Sequence, residues 1–286
     1  MVGDLHCHTN FSDGSIALKD AVIYAKNKSL GYLAITDHDT MEGVEQAVEF
    51  GKELGVTVIP GVEISCMDAR IGRKVHLLCY LPIFPKRLAP LLTKISDSRR
   101  KGNIESLRLL QQYQPVTDEM VARHCGGDIN RLHKCHIMNA LLDMGLDNQI
   151  YGDMYKHYFS RNSPEFCRAN IDYEGIYSAL HIVHDAGGIA ILAHPGENNN
   201  LLILEDLIRT GLLDGVELYH PSNTNEDKEQ IAALAKKYDL IVTGGTDFHG
   251  YYSTPKKIFP LGTFTTDQHN IDRIFDLYEK RKKEYL

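Results

Sequence analysis

The chain has 286 residues, 43% of them apolar and 24% charged, a balance that excludes a disordered chain and allows a full hydrophobic core without disulfide staples. Its formal net charge of −7 argues against broad, unspecific binding to a nucleic acid backbone, although metal ions would add positive charge that this sum omits. No apolar run approaches the roughly 18 residues of a membrane span, and Met1-Val2-Gly3-Asp4 opens no signal peptide.

In chain order, short apolar runs alternate with helical patterns. Strands are expected at Val2–His8, Tyr32–Thr36, Val56–Val62, Val75–Leu81, Ile189–Ala193, Gly215–Tyr219 and Leu240–Gly244. After the first, Ala17, Ala21 and Ala25 recur every fourth position beside Leu18 and Val22, which predicts a helix over Ala17–Leu30 ending at Gly31. Met41–Leu54 repeats the pattern and ends at Gly55. Such alternation predicts a parallel sheet, open or closed. From Lys86 to Cys167 the strand signal stops, and helices are expected at Ile95–Tyr113, Asp118–His124, Leu132–Met144 and Asn148–Ser160. The expected organisation is therefore an α/β body of residues 1–85 and 168–286 with an inserted helical cap, 86–167. Gly187-Gly188 should end a helix before the Ile189 strand. Asn270–Glu284 predicts a last amphipathic helix with a solvated Lys280-Arg281-Lys282-Lys283 end.

The chemistry-bearing residues follow the strands. In Asp4-Leu5-His6-Cys7-His8 the two histidines share one face of a strand, a natural half-site for a metal. Asp13 follows in Ser12-Asp13-Gly14, which read blandly is only a turn. Thr36-Asp37-His38-Asp39 and Pro60-Gly61-Val62-Glu63 end two further apolar runs. Glu63 needs a partner if it is buried. His76 lies within a strand, His194 ends another, and Asp247 and His249 follow the last. Each signal alone is weak. Their repetition at strand ends is not, because the active sites of parallel α/β barrels form there. His6, His8, Asp13, His38, Glu63, His76, His194, Asp247 and His249 would serve two or three ions at roughly three protein ligands each. Mixed imidazole and carboxylate donors suit Mn, Fe or Zn. The basic run Lys86, Arg87, Lys94, Arg99, Arg100 and Lys101 is either a solvated helix face or an anion-binding patch.

These motifs, in this order and spacing, resemble the PHP (polymerase and histidinol phosphatase) family over the α/β body. The resemblance implies a distorted (β/α)7 barrel, a two- or three-metal site built from those nine residues with Glu63 bridging two ions, and hydrolysis of phosphate esters by a metal-activated hydroxide. Asp37 and Asp39 would then support the ligands. Arg99-Arg100-x-x-Asn103, Lys134-Cys135-His136-Ile137 and Tyr219-His220-Pro221-Ser222 resemble the branch of 3′,5′-nucleoside bisphosphate phosphatases and 5′→3′ exoribonucleases. That likeness implies substrate contacts at Arg99, Arg100, Lys134, His136, Tyr219 and His220, with His136 or His220 protonating the leaving group. The expected substrate is a nucleoside bisphosphate or a short oligonucleotide.

The branch carries Arg where this chain has Lys134, and Lys lacks the bidentate fork. A cyclic phosphodiester or histidinol phosphate are the alternative substrates. A non-catalytic metal-stabilised interaction module and a carbon–nitrogen amidohydrolase are the rivals of other classes. The remaining histidines, His124, His133, His157, His181, His184 and His269, are expected to be surface or structural. Six scattered cysteines without a C-x-x-C pair predict a reduced, cytoplasmic chain.

Overall fold

The computed structural model describes residues 1–160, 163–254 and 257–285. From the N-terminus run β1 (Val2–Asp4), α1 (Leu18–Asn27), β2 (Tyr32–Ile35), α2 (Val44–Leu54), β3 (Thr57–Asp68) and β4 (Arg73–Tyr80). Then come α3 (Ala89–Leu110), α4 (Asp118–Ala122), α5 (Lys134–Asp143) and α6 (Asp153–Phe159). The chain returns through β5 (Glu174–Gly175), α7 (Ile176–Asp185), β6 (Ile189–Leu192), α8 (Leu201–Arg209), β7 (Gly215–Tyr219), α9 (Asn225–Tyr238), β8 (Ile241–Gly244), β9 (Thr266–Asp267) and α10 (Gln268–Tyr285).

The sheet runs β8-β7-β6-β4-β3-β2-β1-β9, with β5 beside β3. It nearly closes: Leu5 N donates to Gly244 O at 3.2 Å, and Cys7 bridges Phe248 in parallel. The all-parallel expectation fails at β4, which is antiparallel to both β3 and β6. Only residues 69–72 separate β3 from β4, and a parallel crossover needs a dozen or more. This hairpin is the distortion in the barrel, and it sets His76 opposite Ser65.

On α1, Leu18, Ala21, Val22 and Ala25 are buried, but Ala17 is exposed at the N-cap. Ser29 (φ 58°), not Gly31, takes the left-handed conformation after that helix, whereas Gly55 (φ 75°) caps α2 as its spacing predicts. The four helices of residues 86–167 form near their expected positions, and α3 begins earlier, at Ala89. That helix serves two cores. Leu91, Leu92 and Ile95 pack with the barrel's α7 and α8. Leu107 and Leu110 pack with Val121, Ile137, Leu141 and Phe159 in a separate cluster. Neither α8 nor α9 stood out in the sequence. Helix α9 buries only Ile231 and Ala235 and is fixed by a capping box between Thr224 and Asp227. The basic end of α10 is not wholly solvated: Arg281 is buried and forks onto Asp214 at 2.6 and 3.0 Å.

One close approach at the barrel seam bears on the site. A Cβ on Gly245 would lie 2.3 Å from His6 Cβ and 2.5 Å from His6 N. Gly245→Ala should therefore cost about 1–3 kcal/mol by overpacking and displace His6. Urea denaturation read beside Mn binding checks this, and a variant unchanged in both would refute it.

Candidate metal centre

The loops at the strand ends are pinned by buried carboxylates. Asp4 accepts from Thr246 N at 2.9 Å, Thr246 Oγ1 at 2.5 Å and Gly262 N at 2.8 Å, and burial pushes it up to about 6 despite those bonds. It thereby ties the start of the 4–14 segment to the loop carrying Asp247. Asp37 accepts from Thr9 N and Thr9 Oγ1, both at 2.7 Å, and from Ser12 Oγ at 2.6 Å, which shapes the turn presenting Asp13. Asp39 holds Ser65 N at 2.7 Å and pairs with Arg99. His194 (φ 26°) and Asp247 (φ 52°) take left-handed backbone, the kind of strain that clusters at functional sites.

All nine residues singled out as ligands converge. Glu63 Oε2 lies 3.3 Å from His6 Nε2, 3.2 Å from His8 Nε2 and 3.1 Å from His38 Nδ1. Its Oε1 lies 2.9 Å from both His76 Nδ1 and His194 Nε2. Asp247 Oδ1 approaches His8 Nε2 at 3.2 Å and His249 Nδ1 at 3.4 Å. Asp13 faces His249 Nε2 at 3.3 Å and His8 Nδ1 at 3.7 Å. Burial alone would raise the Glu63 carboxyl, but His76, His38 and His6 hold it well below its usual range. Burial would lower His8, yet Asp247 and Glu63 carry it up to about 10.

The donor atoms fit divalent ions. His6 Nε2, both ring nitrogens of His8, His38 Nδ1, Glu63 Oε2, His194 Nδ1 and His220 Nε2 are buried without a hydrogen-bond partner. Orphaned buried polar atoms are costly, and here they converge. Within 4.8 Å of one another lie the donors of His6, His8, Glu63 and Asp247, those of His8, Asp13, His38 and His249, and those of His38, Glu63 and His76. His194 groups with Glu197 and Asp247, and His6 with Glu217 and His220.

The centre lines one side of a cavity of about 400 Å³. Lys74, Arg99, Lys134 and Arg168 line it too, with Tyr151, Tyr155 and Tyr173. Burial and the neighbouring Arg168, Lys74 and Arg99 push the Lys134 ammonium down to about 7. Lys257 reaches Glu197 Oε2 at 2.6 Å and Asp247 Oδ2 at 3.1 Å.

The residues expected to touch substrate divide. Arg99 and Lys134 line the cavity. Arg100 does not: it pairs with Asp97 at 3.1 Å and faces a different groove. Tyr219 is 46% exposed and outside the cavity. His220 is fully buried behind the cluster, with Nε2 3.4 Å from Asp247 Oδ2. His136 is also outside the cavity lining. Its Nδ1 accepts from His133 N at 3.1 Å, its ring abuts Tyr252, and burial drops it to about 4. His133, read from the sequence as structural or surface, lines the cavity instead, with Nδ1 3.8 Å from Asp13 Oδ2.

Sequence reasoning also missed Glu217. It is buried on β7, takes His6 Nδ1 at 3.1 Å and accepts from His194 N at 2.9 Å. The criterion that found Glu63, an acid within an apolar strand, would have found it. Lys74, Glu197, Arg168 and Lys257 carried no comparable local signal.

The PHP domain matches residues 4–243. A phosphoribosyl 1,2-cyclic phosphate 1,2-diphosphodiesterase of Eggerthella lenta is 35% identical over 253 residues, covering 88% of this chain and 95% of that protein. A 5′-3′ exoribonuclease of Haemophilus influenzae is 30% identical over 288 residues, covering 97% and 98%. The crystal structure of a Bifidobacterium adolescentis protein, assigned as a metal-dependent phosphoesterase, superposes with a TM-score of 0.86 at 28% identity over 96% of each chain. With the barrel, the convergent histidines and carboxylates, and the match across most of its length, the chain belongs to the PHP domain family.

Proposed function

We propose that the protein hydrolyses a phosphate ester that carries a second anionic group, either a 3′,5′-nucleoside bisphosphate or the end of a short oligonucleotide. It is a metal-dependent phosphoesterase, and the nine converging residues hold two or three Mn, Fe or Zn ions. The observation that carries this reading is one cavity lined both by the converging histidines and carboxylates and by a cluster of cations, Lys134 with Arg168, Lys74 and Arg99. Glu63 turns one oxygen to His6, His8 and His38 and the other to His76 and His194, which supports a bridging role. When bound, the ions polarise phosphoryl oxygens and bring the pKa of water toward neutrality.

The chain's own residues supply the rest. Glu217 fixes the ring of His6 through Nδ1, leaving Nε2 toward the centre. Arg99, Lys134 and Arg168 face the cavity and hold the second phosphate, Lys134 as a point charge. Tyr151 and Tyr155 line the cavity as aromatic surface against which a base can pack. Burial pushes His133 down to about 3, so at pH 7 it faces the cavity as a neutral ring. Arg99, His133, Lys134, Tyr151 and Tyr155 all come from residues 86–167, which supports the role of that segment as a cap on a barrel formed by 1–85 and 168–286. Six free, buried cysteines support a cytoplasmic setting, and among the described residues no helix is long and apolar enough to cross a membrane.

A second reading, hydrolysis of a cyclic phosphodiester on a sugar phosphate, is favoured by the 35% identity to the Eggerthella protein. The same residues serve it. The test is phosphate release from adenosine 3′,5′-bisphosphate by Mn-loaded protein, with a cyclic ribose phosphate, 3′,5′-cyclic AMP and histidinol phosphate alongside. Chelator-sensitive release from the bisphosphate supports the first reading. Turnover confined to a cyclic ester selects the second, and turnover of histidinol phosphate alone removes the need for the cation cluster. Inactivity toward every ester with metal bound overturns both readings.

A further inference from the structure

A polar knot joins the helical segment 86–167 to the loop after β8. At its centre is Asn139 of α5, buried and with both polar atoms of its side chain engaged. Its Oδ1 accepts from the Tyr251 hydroxyl. Its Nδ2 donates to the Tyr252 hydroxyl at 3.1 Å and to His124 Nδ1 at 2.7 Å, and His124 Nε2 meets Asp143 Oδ2 at 2.9 Å. Tyr251 and Tyr252 belong to the short 3-10 turn Gly250–Tyr252, which directly follows His249. The Tyr252 ring is buried in the apolar cluster of segment 86–167, beside His136. The barrel grips the same turn from the other side. Ser15 Oγ accepts from Tyr251 N at 2.8 Å, and His249 O accepts from Ser15 N at 3.0 Å and from Tyr252 N at 3.3 Å. Gly250 (φ 61°) leaves no slack there, since a Cβ on it would lie 2.2 Å from Ser15 Oγ.

We propose that Asn139 is a positioning residue of the metal centre: by holding both tyrosine hydroxyls it seats the turn, and so aims His249 at an ion shared with His8, Asp13 and His38. This rests on the metal-dependent reading above and deepens it, from which residues converge to what holds one of them in place. The donors of those four residues lie within 4.8 Å of one another. His249 spends Nδ1 on Asp247 O at 2.8 Å, which leaves Nε2 toward Asp13. The direction of the ring is therefore set by the backbone of residues 247–249, and the turn that follows anchors that backbone. Asp13, in contrast, is braced within the barrel, where Asp37 holds Ser12 Oγ at 2.6 Å. Groups that orient a ligand from behind change metal affinity by about 10- to 100-fold when removed. Linkage makes the effect mutual: an ion that fixes His249 also holds α5 against the barrel.

The test titrates the full chain with Mn and counts bound ions from the paramagnetic resonance of free Mn. The double variant Tyr251→Phe with Tyr252→Phe keeps both rings and removes only the hydroxyls that Asn139 holds, and the Tyr251 ring is 56% exposed, so little packing is at stake. One ion should bind about tenfold more weakly in it, and the others within about twofold of wild type. Hydrogen exchange gives a readout free of turnover: Mn should slow exchange of the α5 amides in the wild-type chain and not in the double variant. Tyr158→Phe is the control for general loosening, because it removes a hydroxyl bonded to Gln114 at 2.6 Å elsewhere in segment 86–167; it should bind Mn like wild type. Unchanged Mn binding in the double variant, equal weakening in Tyr158→Phe, or an α5 exchange effect that survives the double substitution overturns the positioning role and leaves the metal centre standing. A wild-type chain that binds no Mn strikes at the metal centre itself, and the role of Asn139 falls with it.

Discussion

Glu63→Gln is expected to lower kcat on the preferred phosphate ester by about a thousandfold, the scale on which removing one preorganised electrostatic group acts. The side chain keeps its size and loses its charge, and that charge is what the centre is built around. His6, His8, His38, His76 and His194 all lie within 3.3 Å of its oxygens. A glutamine can present only one oxygen, so it cannot face both sets of imidazoles as a ligand. Thermal unfolding gives a readout independent of turnover. A ligand at a hundredfold its Kd adds about 2.7 kcal/mol to the native state, so Mn should raise the wild-type Tm by several degrees. Glu63→Gln should lose most of that increase. A variant that keeps both its activity and its Mn-dependent Tm shift would remove Glu63 from the metal centre.

The second large effect concerns Lys134. Its ammonium is pushed down to about 7 by burial first and by Arg168, Lys74 and Arg99 next. In the free protein it is charged below that value and neutral above it. If the charge holds the second phosphate, kcat/KM should fall as pH rises through about 7, by up to tenfold per unit. Lys134→Arg should abolish this alkaline limb, because a guanidinium stays charged. Lys134→Met should raise KM about 10- to 100-fold, the scale of a lost hydrogen bond to a charged group, while changing kcat less. A Lys134→Arg profile that retains the same limb would assign it to another group.

The converging histidines and carboxylates were legible because strand geometry is local. Side chains two apart on an extended segment share a face, and an apolar run ending in His, Asp or Glu at a barrel mouth points that group inward. His6 with His8 and Asp247 with His249 follow from spacing alone. The same logic placed Glu63 and should have placed Glu217, which sits on β7 as Glu63 sits on β3.

The cap side was less legible because a helix turns each residue by about 100° from the last, so a shift of one position decides which group faces the substrate. Arg99 enters the cavity and Arg100 pairs with Asp97 outside it. His133 enters at the N-cap of α5, while His136 three residues later is spent on the cap itself. Sequence motifs named the right neighbourhoods there: of the two arginines expected only Arg99 lines the cavity, and His133 does so in place of His136, three residues on.

By itself, then, the sequence determined the alternation of strand and helix, the helical segment between β4 and β5, and the nine histidines and carboxylates that converge at the strand ends, since each depends on local periodicity and on the cost of burying an unpartnered charge. Only the tertiary structure decided the near closure of the sheet through Leu5 and Gly244, the joining of Lys74, Lys134 and Arg168 on one wall, and the reach of Lys257 to Asp247. Those groups come from segments far apart in the chain, and no local pattern records which of them packing will bring together.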